Sequence, residues 1–207
     1  MPKHTKSSTR WLAEHFSDAY VKRAQLEGWR SRAVFKLAEI QRRDKLIKPG
    51  MTVVDLGAAP GGWSQYAAKI LAGRGSVLAL DILLMEPLDG VKIIQGDFTE
   101  EAALRDLEMH LAGRSVDLVL SDIAPNISGE EAIDQPRSMY LAELALAFAL
   151  PALAPKGVFL VKTFQGTGFS EYLQAVRRGF QSVVTRKPSA SRVRSRELYV
   201  LAKHPRV

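Results

Sequence analysis

The sequence predicts an open α/β domain in which a doubly wound, mostly parallel sheet is covered by helices on both faces. Short, nearly continuous apolar runs alternate along the chain with longer segments of helical apolar spacing, which is typical of parallel strands buried on two sides. The length of 207 residues suits one such domain. Two segments near the C-terminus depart from the alternation, and we expect them to form an antiparallel pair in which a closing strand completes the sheet.

Five apolar runs are predicted to be the parallel strands. Aliphatic and β-branched residues dominate each run, as expected for strands with both faces covered. These strands are expected at 52–57, 76–81, 91–97, 116–122 and 157–164. The closing antiparallel pair is expected at 182–188 and 197–203.

Five intervening segments are predicted to be helices. They are expected at 31–45, 62–73, 99–113, 138–153 and 169–179. In the first, apolar residues recur at helical spacing from Ala33 to Ile40, and the Lys-Pro-Gly of 48–50 ends the segment. In the third, Thr99 is the expected N-cap and Gly113 the exit residue.

Composition and segment boundaries restrict the class of protein. The chain is 46% hydrophobic and 25% charged, and it contains no cysteine, which excludes a disulfide framework, a thiolate zinc site and a cysteine nucleophile. Residues 1–28 are expected to be a basic extension, and residues 29–207 a single domain. The richest apolar stretch, 140–155, is interrupted by Glu143 and Pro151, so we expect no membrane span. With neither a secretory signal nor a large apolar face evident, the expectation is a cytoplasmic monomer.

The charge distribution indicates a polyanionic partner. Basic side chains outnumber acidic ones by 29 to 22, and the excess is concentrated at the two ends of the chain. Residues 1–50 carry a net charge of +7 and residues 181–207 a net charge of +6, whereas residues 51–180 carry −6. Clustered basic residues are typical of nucleic-acid binding. On composition alone, a merely solvated basic surface stays open.

Four successive predicted strands end in an aspartate: Asp55, Asp81, Asp97 and Asp122. Because ligands of doubly wound sheets bind beyond the carboxyl ends of the strands, we expect these carboxylates to line a ligand crevice. The alternative is that they cap loops and helices, as aspartate often does.

A glycine-rich loop follows the first strand, in the segment DLGAAPGGWS at 55–64. Gly57, Gly61 and Gly62 allow the backbone to approach a ligand, and Pro60 stiffens the turn. The segment matches neither the dinucleotide fingerprint nor the phosphate-binding P-loop, so a dehydrogenase is not indicated.

This loop, together with four other segments, resembles the FtsJ-type RNA 2′-O-ribose methyltransferases. The resemblance extends from about residue 22 to residue 203 and is carried by 31–40, 55–66, 121–129, 161–166 and 191–202. The last two segments, with 136–146, are most similar to members that act on bacterial large-subunit ribosomal RNA. The resemblance implies a Rossmann-like class I methyltransferase fold, S-adenosylmethionine as cofactor, no metal, and a uridine 2′-hydroxyl of 23S ribosomal RNA in the 50S subunit as target.

The resemblance also implies which residues bind the cofactor. The backbone from Gly57 to Gly61 would face its amino acid part, and Asp81 would accept hydrogen bonds from the ribose. The full set expected at the cofactor is Asp55, Gly57, Gly61, Trp63, Asp81, Asp97, Phe98 and Asp122. Within it, Asp97 and Phe98 would bracket the adenine and Asp122 would lie nearest the methyl group. For Trp63, an ordinary core position stays open.

The catalytic tetrad of the family corresponds to Lys36, Asp122, Lys162 and Glu197. A ribose hydroxyl is a weak nucleophile that must lose its proton as it attacks, which calls for a general base. Lys162 is the expected base, because its apolar strand and a second cation, Lys36, would favour the neutral amine. Asp122 and Glu197 would orient the two amines. Taken singly, Lys36 also fits a solvated helix lysine, and Glu197 a balancing acid among arginines.

The basic ends are expected to hold RNA phosphates, which give affinity without sequence information. The residues expected to do so are Arg30, Arg32, Arg192, Arg194 and Arg196. Two alternatives stay open. The same chemistry suits a transfer RNA or an RNA cap, and a methyltransferase fold also suits a non-catalytic RNA-binding factor.

Overall fold

Seven strands and six helices make up the parts of the chain that the computed structural model describes, which are residues 18–125, 128–192 and 194–206. The strands are β1 (Thr52–Leu56), β2 (Ser76–Asp81), β3 (Val91–Gln95), β4 (Val116–Ser121), β5 (Leu153–Phe164), β6 (Phe180–Arg186) and β7 (Glu197–Pro205). The helices are α1 (Ala19–Leu26), α2 (Val34–Asp44), α3 (Gly62–Leu71), α4 (Glu101–Leu111), α5 (Glu131–Ala152) and α6 (Phe169–Gly179).

The strands form one sheet in the order β3-β2-β1-β4-β5-β7-β6. Neighbours from β3 to β5 are parallel, whereas β7 is antiparallel to both β5 and β6. The predicted α/β class, the doubly wound parallel sheet and the antiparallel closing strand are therefore confirmed. The strand order reverses between β1 and β4, and this switch point is where an open sheet of this kind binds ligands.

Helices bury apolar side chains against both faces of the sheet. On one face, α2 and α3 pack Leu37, Trp63 and Ala67 against Leu160 and Tyr199. The other face is covered by α4, α5 and α6, which contribute residues such as Leu107, Ala145 and Val176 to the larger core cluster. Full burial of strand residues on both faces explains why β1 and β4 have near-continuous apolar sequences.

Three predicted helix starts are wrong. The helix expected from residue 31 begins at Val34, after a turn at 32–33. The helix expected from Ser138 begins at Glu131 and includes Pro136. Its start was mispredicted because its first residues are mostly exposed and show no apolar periodicity. The expected N-cap Thr99 lies outside α4, whose N-cap is Glu100. The Thr99 hydroxyl instead donates to Asp97 Oδ1 at 2.7 Å.

The structure describes only the second part of the predicted N-terminal extension. Residues 1–17 lie outside the described residues, and α1 is the first described element. It is capped by Asp18, whose side chain accepts from the Tyr20 amide. In the described ranges, no helix combines the length and apolar character that crossing a bilayer requires.

Candidate active site

The carboxyl edges of the central strands bring the four aspartates to one side of the sheet. Asp55 lies within β1, Asp81 is the last residue of β2, and Asp122 directly follows β4. Asp97 lies two residues beyond the end of β3. The parallel topology therefore places all four carboxylates at or near the carboxyl ends of β1 to β4.

The glycine loop, defined here as residues 57–61, is closely packed. Gly57 and Gly61 have φ of +70° and +106°, a region that side chains other than glycine rarely adopt. A Cβ at Gly57 would lie 2.7 Å from the Ile123 Cβ, and one at Gly61 would lie 2.8 Å from the Leu88 Cδ1. The backbone conformation favours glycine at both positions, and at Gly57 the backbone of Ile123 also leaves no space for a side chain.

Asp81 and Asp97 both hold local backbone, as the capping alternative expected. Asp81 Oδ2 accepts from the Ala59 amide and Oδ1 from the Leu83 amide, each at 2.8 Å. Asp97 Oδ1 accepts from the amide and hydroxyl of Thr99. A carboxylate oxygen has two lone pairs, so both side chains keep acceptor capacity for a ligand.

Asp55 is the most deeply buried of the four, with 1% of its surface exposed. Its Oδ2 accepts from the Ser64 hydroxyl at 2.6 Å, but its Oδ1 has no hydrogen-bond partner within the described ranges. Burial raises the pKa of Asp55 to about 7, opposed by the Ser64 hydrogen bond and assisted by the negative charges of Asp122 and Asp81. A buried, unpaired carboxylate oxygen is a ready acceptor for a cationic or N–H group.

Two lysine–carboxylate pairs lie beside this acidic edge. Lys162 Nζ donates to the Asp122 backbone carbonyl at 2.5 Å and lies 3.1 Å from Asp122 Oδ1. Lys36 Nζ lies 2.8 Å from Glu197 Oε1. This second contact is an ion pair without hydrogen-bond alignment, since Glu197 Oε1 has no hydrogen-bond partner among the described residues. The four residues of the expected tetrad thus form two adjacent ion pairs.

Tyr199 links the two pairs, and the sequence analysis missed it. Its hydroxyl donates to Asp122 Oδ1 at 2.7 Å, and its ring centroid lies 5.7 Å from Lys36 Nζ. Burial, and then the charges of Asp122 and Glu197, raise the pKa of Tyr199 well above its ordinary value, so the phenol stays a donor. The period-two spacing from Glu197 along a strand was the available signal for this residue.

Opposing effects set the charge of Asp122. Burial alone would raise the pKa of Asp122, but the positive charges of Lys162 and Lys36, with the Tyr199 hydrogen bond, outweigh burial and hold the pKa below its ordinary value. Asp122 is therefore an anion at neutral pH, paired with Lys162.

Strand register explains why these side chains meet. In the antiparallel pair of β5 and β7, Lys162 lies opposite Tyr199. Glu197 is two residues from Tyr199, so all three side chains point to the same face of the sheet. That face is covered by α2, whose first turn carries Lys36.

Two aromatic residues expected at the cofactor are committed to the core. Trp63 packs against Tyr199, and its indole N–H donates to the Ala33 carbonyl. Phe98 is buried edge-on against Phe148. The core alternative thus describes the side chain of Trp63, and the side chain of Phe98 is likewise buried in the core.

The five arginines expected at RNA differ in their surroundings. Arg32 pairs with Asp18 and donates to the Ala190 carbonyl, which leaves 14% of its side chain exposed. Its geometry is that of a structural tie rather than a phosphate contact. Arg194 is exposed, Arg192 is half-buried, and Arg196 pairs with Glu131 at the surface. Arg30 donates to three backbone carbonyls, described below.

Comparison with known proteins identifies the family. Residues 29–204 match the sequence profile of the FtsJ-like methyltransferases. The chain belongs to this family. A relative of this methyltransferase from Alkalilimnicola ehrlichii is named ribosomal RNA large subunit methyltransferase E. The two are 62% identical over 201 residues, which are 97% of this chain and 96% of the relative.

Solved structures support the fold of this FtsJ-like methyltransferase. The crystal structure of a Plasmodium falciparum protein, described as a ribosomal RNA methyltransferase, is 26% identical with a TM-score of 0.77. The match covers 86% of this chain and 98% of that one. A Streptococcus mutans methyltransferase, solved in complex with S-adenosylhomocysteine, is 10% identical with a TM-score of 0.51. This match covers 77% of this chain and 90% of the S. mutans chain. At that identity the likeness concerns the fold alone.

Proposed function

We propose that this methyltransferase transfers the methyl group of S-adenosylmethionine to the ribose 2′-hydroxyl of a uridine in 23S ribosomal RNA of the 50S subunit. The name of the 62% identical relative supports the choice of large-subunit ribosomal RNA. The chemistry of the carboxyl edge supports the cofactor and the acceptor. Such a substrate places the enzyme's work in the cytoplasm, where we propose a monomer with residues 1–28 extending from a 29–207 domain.

The acceptor groups at the edge fit S-adenosylmethionine, which supplies an electrophilic methyl on a sulfonium. The unpaired Asp55 Oδ1 suits an N–H donor, and Asp81 and Asp97 keep acceptor capacity for hydroxyl or amino groups. The glycine loop carries only the short side chains of Ala58, Ala59 and Pro60 between Gly57 and Gly61, so its backbone is open to close approach. We propose these residues and Asp122 as the cofactor contacts, with Trp63 and Phe98 contributing through backbone.

Lys162 is the proposed general base. In the structure its Nζ donates to the Asp122 backbone carbonyl and lies 3.1 Å from Asp122 Oδ1. A lysine acts as a base only as the neutral amine, so Lys162 must lose a proton before it can accept one from the attacking hydroxyl. Proton transfer to Lys162 then accompanies formation of the oxygen–methyl bond, and the electrons of the broken carbon–sulfur bond leave with sulfur.

Lys36 and Glu197 are proposed to place and tune this base. Lys36 contributes positive charge at Asp122, since its charge helps lower the pKa of that carboxyl. Glu197 restrains Lys36 through the 2.8 Å ion pair. With Glu197 neutralising Lys36 and Asp122 neutralising Lys162, the pocket holds two buried cations without an uncompensated charge.

Affinity for RNA is proposed to come from the basic ends, chiefly Arg192, Arg194 and Arg196. These residues lie in the segment that leads into β7, immediately before Glu197. Phosphates held there would bring a ribose toward Lys36 and Lys162. Arg30 and Arg32, whose guanidinium groups already bond within the protein, are weaker candidates.

The single observation that carries the proposal is the meeting of both ion pairs at Tyr199 beside the acidic edge. The test is transfer of labelled methyl groups to 50S subunits, free 23S RNA and transfer RNA, comparing the parent with Lys162→Ala and Lys162→Arg. Lys156→Ala is the matched control, an exposed lysine on the same strand. General-base catalysis typically accelerates a reaction about 10²–10⁴-fold. The rate of methyl transfer should therefore fall at least about 10²-fold in both Lys162 variants, while their affinity for the cofactor stays unchanged.

The nature of the product discriminates further. Alkali-stable label in a single dinucleotide identifies a ribose methyl, whereas label on transfer RNA alone would contradict the ribosomal target. Lys162→Arg is the sharper of the two variants, since a guanidinium keeps the positive charge but cannot accept the proton of the hydroxyl. Near-parent activity of Lys162→Arg would end the base assignment.

A further inference from the structure

Arg30 lies where two loops at the carboxyl ends of neighbouring strands approach each other. One is the glycine loop, which follows β1, and the other, called here the β2 loop, comprises residues 82–90. Arg30 Nη1 donates to the carbonyls of Glu86 at 2.7 Å and Pro60 at 3.3 Å, and Nη2 donates to the Pro87 carbonyl at 2.7 Å. One guanidinium therefore bridges the backbones of both loops.

The backbone beside Arg30 is fastened as well. The Arg30 amide donates to Gln65 Oε1 at 3.0 Å, and Gln65 Nε2 donates to the Gly28 carbonyl at 2.9 Å. Gln65 belongs to the first turn of α3, directly after the glycine loop. Arg30 Cδ also lies 3.3 Å from the position that a Cβ on Gly61 would take, so the side-chain stem packs on the loop.

The β2 loop has few other anchors. Asp81 fastens its start through the Leu83 amide, and Met85 is buried against Ala58 at its middle. Ile82, Leu83 and Leu84 are exposed by 59%, 63% and 79%. Beyond Met85, Leu88 packs against the glycine loop, and the fork of Arg30 at Glu86 and Pro87 supplies the hydrogen bonds that tie this part of the loop to its surroundings.

We infer that Arg30 is a positioning residue that holds the two walls of the cofactor crevice at a set separation, rather than a phosphate contact. The inference rests on the proposed cofactor. We place the crevice between the glycine loop and the β2 loop because they follow neighbouring strands, β1 and β2, at the carboxyl ends where such sheets bind ligands. Arg30 also precedes α2, which carries Lys36, so the clamp connects the cofactor walls to the helix that bears a tetrad residue.

The test compares Arg30→Ala and Arg30→Lys with Arg105→Ala. Arg105 is the matched control, because its guanidinium is exposed on α4 and pairs with Glu101 within that helix. Hydrogen–deuterium exchange of the ligand-free proteins reports on the loops directly. Amides of 57–61 and 82–90 should exchange faster in Arg30→Ala and remain as in the parent in Arg105→Ala.

Binding of S-adenosylhomocysteine by calorimetry is the second readout. If loosening leaves about a tenth of molecules with correctly placed walls, the apparent dissociation constant rises about tenfold in Arg30→Ala. Arg30→Lys, which keeps the charge but lacks the fork, should be intermediate, and it preserves the test if the alanine variant does not fold. A parent protein that fails to bind the ligand would refute the proposed cofactor, while the exchange data would still decide the clamp.

Two results would overturn the clamp. One is loop exchange and ligand affinity in Arg30→Ala that match Arg105→Ala within twofold. The other is an RNA-binding salt slope that becomes shallower in Arg30→Ala and recovers in Arg30→Lys, with cofactor affinity unchanged, which is the behaviour of a phosphate contact.

Discussion

Replacement of Tyr199 by phenylalanine removes one buried hydroxyl and keeps the ring against Trp63. The hydroxyl donates to an ionised carboxylate, Asp122, at 2.7 Å, and the residue is fully buried. Hydrogen bonds to charged groups contribute about 1.5–3 kcal/mol, so the free energy of unfolding at pH 7 should fall by about 2 kcal/mol. Urea denaturation followed by tryptophan fluorescence measures this difference.

Tyr172→Phe is the matched control. Tyr172 is equally buried, but its hydroxyl donates to a neutral acceptor, the Ala142 carbonyl, at 3.0 Å. A neutral hydrogen bond contributes about 1 kcal/mol, so Tyr172→Phe should cost about half as much as Tyr199→Phe.

The two losses should also differ in their dependence on pH. The folded pKa of Asp122 lies below its ordinary value of 3.8, so pairing of Asp122 contributes stability above pH 3.8 that is lost as pH falls through the folded pKa. Tyr199→Phe removes part of that contribution. Its cost should be constant from pH 8 to about pH 4 and shrink below that, while the cost of Tyr172→Phe stays level. Equal costs with equal pH profiles would refute the assigned charge-assisted bond.

Two further predictions concern the arginine segment and Asp55. A combined Arg192→Ala, Arg194→Ala and Arg196→Ala variant should make the RNA-binding salt slope shallower by about 2–3, with cofactor affinity unchanged. If replacing Arg177 and Arg178 on α6 by alanine reduced the slope by the same amount per arginine removed, the effect would depend only on net charge. Asp55→Asn, which keeps an acceptor for Ser64, should stabilise the ligand-free protein increasingly from about pH 4 to pH 7 and weaken cofactor binding. Stability curves that run parallel across that range would contradict the raised pKa of Asp55.

Local sequence patterns predicted what depends on local structure. Apolar runs located every strand, and the aspartates near the strand ends located the edge where a ligand would bind, because parallel strands share that edge. The segment from Phe169 to Gly179 was predicted with its observed bounds. The start of α5 was missed because Ala132 and Ile133 are exposed in the structure and carry no burial pattern.

Pairings across the chain were beyond such patterns. Lys36 meets Glu197 only because β7 inserts between β5 and β6 and α2 covers the same face. The pairing of the tetrad therefore rested on the family resemblance. Basic residue type likewise suggested RNA contacts for Arg30 and Arg32, but their partners are mostly backbone carbonyls, which a sequence does not reveal.

The acidic edge is arranged at a cost to folding, and Asp55 shows where the cost lies. Most charged groups around it are paired within the protein, as Lys162 with Asp122 and Lys36 with Glu197. Asp55 instead keeps one oxygen without a hydrogen-bond partner among the described residues, in the core. Because burial raises the pKa of Asp55 to about 7, the folded protein loses stability as pH rises from about 4 to 7 and Asp55 ionises, and it regains that stability as pH falls and Asp55 is protonated. A pKa of Asp55 raised from 3.8 to about 7 corresponds to at most about 4 kcal/mol of folding free energy. A donor N–H or cation delivered by a ligand would offset this cost, so binding at this edge should both stabilise the fold and release the proton of Asp55.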